Sequence, residues 1–139
     1  MSDIFYVDGD FVAASDAALP LKDLAILRGY GVFDFLRTYR GEPFMLEAHV
    51  ERLLNSAKEI GLEAPWDADT IIVIVHQTLA RNFKSGARKR ESNIRILISG
   101  GDSPDNLNPG DEPRLLVMVT EAMPPAPVSP SAKAEASHL

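Results

Sequence analysis

Residues Ile4–Val7 and Phe11–Ala13 are short β-prone runs separated by Asp8-Gly9-Asp10. Asp-Gly between two such runs predicts a hairpin, because glycine tolerates the positive φ that a tight turn demands. Asp16 to Leu27 is weakly periodic and holds Pro20, which predicts a connector with at most a turn of helix. From Val32 to Tyr39 (VFDFLRTY) the period is two. Phe33, Phe35 and Arg37 share one face, and Val32, Asp34, Leu36 and Thr38 share the other. Both faces mix polar with apolar groups, a pattern expected of a strand that lines a pocket rather than of a simple half-buried edge. Arg40-Gly41-Glu42-Pro43 reads as a turn, with Phe44-Met45 starting the return.

The period then changes. Leu46, Val50, Leu53, Leu54, Ala57 and Ile60 fall at helical spacing, and Gly61 is a natural C-terminal stop. Asp67 is placed to cap a second helix. Its centre, Ile71–Val75 (IIVIV), favours strand by propensity. Ala68, Ile71, Ile72, Val75 and Leu79 nevertheless form a helical stripe, and no breaker interrupts the following HQTLARN. The spacing therefore predicts helices near 46–61 and 67–82. Two further β runs, Asn93–Ser99 and Arg114–Thr120, flank Gly100-Gly101 and the loop DSPDNLNPGDEP. Strands, two helices and strands again predict an α+β fold, a two-layer sandwich with a mainly antiparallel sheet and two packed helices.

Composition narrows the partners. A 45% hydrophobic and 24% charged chain of 139 residues suffices for one domain with a true core. That domain is expected over residues 1–122. Residues 123–139 (MPPAPVSPSAKAEASHL) are rich in Pro, Ala and Ser and read as a disordered tail. A net charge of −6 argues against nucleic acid as a main partner. The basic run Lys84–Arg90 (KSGARKR) reads as a solvated loop between two elements. Without cysteine there is no disulfide framework, thiolate metal site or cysteine nucleophile. The acidic start MSDIFYVDGD does not have the order of a signal peptide, and no apolar run reaches membrane-spanning length. A soluble, cytoplasmic protein is expected.

Three stretches carry a resemblance: YVDGDFV (6–12), LAILRGYGVFDFLRTYRGEPFMLEAHVERLLNSAKEIGL (24–62) and NIRILISGGDSPDNLNP (93–109). In order and spacing they resemble the small N-terminal domain of class IV (fold type IV) pyridoxal-phosphate-dependent aminotransferases. The most specific part is the H-x-x-R-L-x-x-S-A helix placed after G-V-F-D. The family includes branched-chain and D-amino-acid aminotransferases and aminodeoxychorismate lyases. The resemblance implies pyridoxal phosphate as cofactor, amino acids and 2-oxo acids as substrates, and a homodimer with each site at the dimer interface.

It also implies roles for single residues. Arg52 matches the arginine that reaches the cofactor phosphate, a dianion suited to the paired donors of a guanidinium. Spacing alone leaves Arg52 on a polar flank with Ser56 and Glu59, as a solvated arginine paired with Glu59 or Glu51. His49, at the border of the apolar face, is expected to pack and hydrogen-bond so as to hold the arginine. Phe33 and Arg37 match residues lining the substrate side in branched-chain enzymes. Arg95 matches an arginine that reads the acidic co-substrate. From the residues alone, Arg95 within IRILI either has its face open to solvent or serves an anion, because burying it unpaired is costly.

Departures from the branched-chain pattern are also present. Asn93 replaces a tyrosine, Asp34 a glutamate, and Arg28 a pocket tyrosine for which Tyr30 is a possible substitute. The arginine–histidine carboxylate trap of D-amino-acid aminotransferases is absent after Ser99-Gly100. Branched-chain-like transamination is favoured, with an aminodeoxychorismate lyase or a non-catalytic, dimerising remnant as the alternatives. Transamination also needs a lysine that binds the cofactor covalently, and in the family that lysine follows this domain. Lys133, on the Pro-rich tail, lacks the strand and the interval expected of it. The chain is therefore expected to be an N-terminal portion that is catalytically incomplete.

Overall fold

The computed structural model describes residues 3–86 and 91–122. The Asp8-Gly9 hairpin forms as expected. Strands β1 (Ile4–Val7) and β2 (Asp10–Ala13) pair with Val7 opposite Asp10, and both turn residues have positive φ. A 3-10 turn at Ala14–Asp16 and the five-residue helix α1 (Leu24–Arg28) make up the connector. Buried Asp23 caps α1 by accepting from the Ala25 N–H at 2.8 Å. Its carboxylate also accepts from Ser99 Oγ and Arg114 Nη1, so the start of α1 is tied to the ends of two later strands.

Strand β3 (Gly31–Tyr39) leads through Arg40-Gly41, both at positive φ, into the two-residue strand β4 (Glu42–Pro43). The turn is thus shorter than the sequence suggested. Tyr39 pairs with Glu42, so the return begins there; Phe44 continues it, its N–H donating to the Arg37 carbonyl at 2.9 Å, and Met45 leads into the next helix. That helix, α2 (Leu46–Glu59), ends at Gly61, whose φ of 77° lets the Leu62 N–H reach back to the Ala57 carbonyl. The third helix, α3 (Ala68–Gly86), starts at the predicted cap, where the Thr70 N–H donates to Asp67 Oδ1 at 2.8 Å. Ile71–Val75 is helical. Its stripe buries Ile71, Ile74 and Val75, so packing overrides the β propensity of the run. The helix extends to Gly86, taking in the first part of the basic run that was expected to be loop. Residues 87–90 and the tail 123–139 lie outside the described residues.

Strands β5 (Ser92–Ser99) and β6 (Arg114–Glu121) complete one six-stranded sheet in the order β2-β1-β6-β5-β3-β4, and every described pairing is antiparallel. The α+β, two-layer expectation holds. Helices α2 and α3 cover one face. Val50, Leu53, Ala57, Ile71, Val75 and Leu79 meet Leu36, the isoleucines at 94, 96 and 98, and Leu115, Val117 and Val119 in a single core. No described helix is long and apolar enough to cross a membrane.

The outcome for β3 differs from the sequence reading. Burial alternates strictly along it, with Asp34, Leu36 and Thr38 buried under the helices and Phe33, Phe35, Arg37 and Tyr39 exposed. It is half-buried, and at its start Val32 and Phe33 also line a cavity with Leu19, Ala25 and Leu97. From Gly31 to Arg37 it pairs with β5 on one side, while β4 reaches it only at Thr38 and Tyr39. The polar groups on its buried face are satisfied rather than solvated. Thr38 Oγ1 donates to Glu91 at 2.7 Å and accepts from the Ser92 N–H at 2.9 Å.

Candidate functional site

The residues singled out in the sequence fall on both faces of the sheet, and β3 joins the two groups. On its helix-covered side Asp34, 5% exposed, meets two side chains of α2. Arg52 Nε donates to Asp34 Oδ2 and Arg52 Nη2 to Oδ1, each at 2.7 Å, a two-point pairing. His49 Nδ1 lies 2.6 Å from the same Oδ1, and the Phe35 N–H adds a further bond at 3.0 Å. His49 and Arg52 are one turn apart on α2, so both reach one carboxylate. The bond from Arg52, aided by His49, holds the Asp34 carboxyl below the usual carboxylate range against the opposing effect of burial.

The partner of Arg52 is neither Glu51 nor Glu59, the carboxylates its helical spacing suggests. Both are neighbours in the chain. Asp34 is eighteen residues earlier, on a strand, and only packing of α2 on the sheet brings them together. The signal available was an acidic residue on the buried face of the strand, where a carboxylate needs hydrogen-bonding partners. His49 lies beside the arginine, its Nδ1 3.3 Å from Arg52 Nη2, and its short bond goes to Asp34 instead. The Arg52 side chain remains 66% exposed, and among the described residues no acceptor bonds its Nη1.

The opposite, open face carries the second group. Phe33 is 62% and Phe35 43% exposed there. Across the β3–β5 pairing Arg95 stands opposite Phe35 and Arg37 opposite Asn93. The Arg95 guanidinium carbon lies 5.7 Å from the Phe33 ring centre and 5.4 Å from that of Phe35. Arg37 lies 4.7 Å over Tyr39, and its Nε donates to the Thr38 carbonyl. The Arg95 side chain is exposed. Toward β1 the same face continues through Leu97, Leu116 and Met118, which line a cavity with Ala17 and Leu19, and there Leu116 is buried.

Tyr30 is not brought to this group. Its ring packs on the helix-side core and its hydroxyl donates to the Ile60 carbonyl at 3.4 Å. It lines a separate cavity with Gly61–Pro65, Gly100 and Pro109–Asp111. Arg28, the other occupant of that stretch, donates to the Leu107 carbonyl at 2.7 Å and anchors the loop between β5 and β6.

The structure thus presents an exposed, carboxylate-held arginine on one side of β3 and an aromatic surface with two arginines on the other. The family model for amino-transferase class IV matches residues 31–138, and the chain belongs to that family. It is 35% identical over 104 residues to a putative branched-chain-amino-acid aminotransferase of Methanocaldococcus jannaschii, covering 75% of this chain and 34% of that protein. It is 32% identical over 124 residues to the aminodeoxychorismate lyase of Bacillus subtilis, covering 87% and 41%. A solved structure of a hypothetical aminotransferase from Mycobacterium tuberculosis in its PLP-bound form superposes with a TM-score of 0.73 at 28% identity, covering 85% of this chain and 39% of that one. The chain therefore spans well under half the length of these relatives.

Proposed function

We propose that this chain supplies the phosphate-binding and substrate-facing residues of a pyridoxal-phosphate-dependent transaminase acting on branched-chain-like amino acids. The observation that supports this most directly is Arg52. In a class IV chain, on the helix that follows β3, it is two-thirds exposed yet fixed by a buried carboxylate. The chemistry of the donors fits the cofactor's phosphate, because a guanidinium offers paired, planar donors to a dianion. When bound, pyridoxal phosphate supplies an electron sink that lets an amino group pass from an amino acid to a 2-oxo acid. On this chain Arg52 binds the phosphate oxygens and Phe33 presents apolar surface to the substrate side chain. Arg37 and Arg95, on the same face, provide charge for substrate carboxylates. No described residue is assigned the covalent attachment, and Lys133 lies outside the described residues.

Exposed phenylalanines on the open face support a second layer against it, and a homodimer is proposed to contribute to that cover. The cytoplasm is the compartment this reading implies. A second reading, an aminodeoxychorismate lyase using the same cofactor, is favoured by the Bacillus subtilis relative, which matches a larger share of the chain than the putative aminotransferase does. The test joins this chain to the C-terminal domain of a family enzyme and titrates pyridoxal phosphate and pyridoxal in turn. Arg52→Ala is expected to weaken pyridoxal phosphate about ten- to a hundredfold, the effect of losing charge-assisted hydrogen bonds, and to leave pyridoxal unchanged. Equal loss for both ligands, or none, would reduce Arg52 to an ordinary surface arginine. Product analysis with a branched-chain amino acid and with aminodeoxychorismate separates the two chemistries.

A further inference from the structure

Building on the reading that Arg52 takes a phosphate, we infer that Asp34 is its positioning residue, holding the guanidinium from the side so that its end faces the ligand. A guanidinium has five N–H donors in a fixed plane. Asp34 takes the Nε donor and one Nη2 donor, both at 2.7 Å. The second Nη2 hydrogen and the two on Nη1 remain, and the parallel pair at the end of the fork matches two oxygens of a tetrahedral oxyanion. Among the described residues nothing accepts from Nη1, and the side chain is 66% exposed, so that end is available.

The carboxylate is itself fixed. Asp34 sits on β3 with 5% exposure, and its Oδ1 also accepts from His49 Nδ1 and the Phe35 N–H. His49 Nδ1 must carry a hydrogen to donate to that oxygen at 2.6 Å. The 3.3 Å approach of Arg52 Nη2 to the same nitrogen is then a contact between two donors, not a bond. His49 thus restrains the carboxylate, and the carboxylate restrains the arginine. An arginine on a helix surface otherwise samples many rotamers, and that freedom is lost when a ligand binds. Asp34 also balances the arginine's charge, so recognition depends on directed donors more than on excess positive potential. The arrangement suits a phosphate monoester better than a spherical anion such as chloride.

The test uses the chain Met1–Leu139 with inorganic phosphate as probe, followed through the Arg52 Nε–H resonance and neighbouring backbone amides. In the unaltered chain that Nε–H is expected to exchange slowly with solvent, and phosphate, but not equimolar chloride, to shift the signals around Arg52. Asp34→Asn should speed the Nε–H exchange and weaken phosphate about twofold to tenfold, the range expected for losing one immobilised rotamer-rich side chain. A double-mutant cycle separates positioning from a general effect on the fold. In an Arg52→Ala background, Asp34→Asn should have no further effect on phosphate. Unchanged or tighter phosphate binding by Asp34→Asn, with Arg52→Ala still weakened, would overturn the positioning role alone and make Asp34 a competitor for the arginine. Absence of any phosphate response in the unaltered chain would overturn the phosphate reading of Arg52 as well. If Asp34→Asn does not fold, Asp34→Glu keeps the charge and is expected to retain slow Nε–H exchange; fast exchange in a folded Asp34→Glu chain would count against the inference.

Discussion

Arg95 stands opposite Phe35 across the β3–β5 pairing, its guanidinium carbon 5.4 Å from the ring centre, and both side chains are exposed. Contacts of this kind between exposed groups contribute only about 0.5–1 kcal/mol. Arg95→Ala should therefore lower stability by less than about 1 kcal/mol, as read from urea unfolding. If Arg95 serves an anionic substrate, the same change in an enzyme carrying this domain should raise KM for a dicarboxylic 2-oxo acid while leaving that for a monocarboxylic one. A drop of several kcal/mol in stability would show instead that Arg95 is a structural member of the sheet.

Asp34 links stability to pH with a definite sign. Its pKa is lowered in the folded chain, first by the bond from Arg52. Its stabilising contribution is then fully present above the unfolded carboxylate value of about 3.9 and is lost as pH falls through the lower folded value. Asp34→Asn should cost about 1–3 kcal/mol at neutral pH, where hydrogen bonds to a charged acceptor are lost. The gap between the two chains should close below about pH 4. Melting curves across that range decide it, and a gap independent of pH would assign the cost to packing.

Thr38 offers a test free of charge on the substituted side chain. It is fully buried, and its hydroxyl bridges Glu91 and the Ser92 N–H. Thr38→Val keeps the shape and removes both bonds, so about 1–3 kcal/mol should be lost, more than for the same change on an exposed strand position. Chemical denaturation is a sufficient measurement. A neutral effect would mean that Glu91 and Ser92 are satisfied by other partners.

Gly101 is required by two separate constraints. Its φ is 75°, and a Cβ there would collide with the Glu112 carbonyl oxygen. Since backbone cannot yield as a flexible side chain can, Gly101→Ala should destabilise by more than about 1 kcal/mol. At Gly100 the obstacle is the Tyr30 ring, a side chain. Gly100→Ala should accordingly be milder and should displace Tyr30, seen as a change in tyrosine near-ultraviolet dichroism. The reverse ranking would show that the glycine turn is more adaptable than its geometry indicates.

Much of this molecule is legible in the chain itself. The Asp8-Gly9 turn, the Gly61 stop, the Asp67 cap and the two periodicities all act within a few residues, and local chemistry determined them. The same holds for the helical stripe through Ile71–Val75, whose burial prevailed over propensity. Motif spacing also placed His49 beside Arg52, because one helical turn separates them. The partner of Arg52, in contrast, belonged to the tertiary structure. Asp34 and Arg52 are on different elements, and only the docking of α2 on β3 sets which carboxylate the guanidinium meets. Docking likewise decided that Tyr30 turns to the helix side while Phe33, Arg37 and Arg95 share the open face. Sequence periodicity states which residues lie on one face of an element. Which neighbour covers that face is set by packing between elements far apart in the chain, and that packing set the contacts of Asp34 and Tyr30.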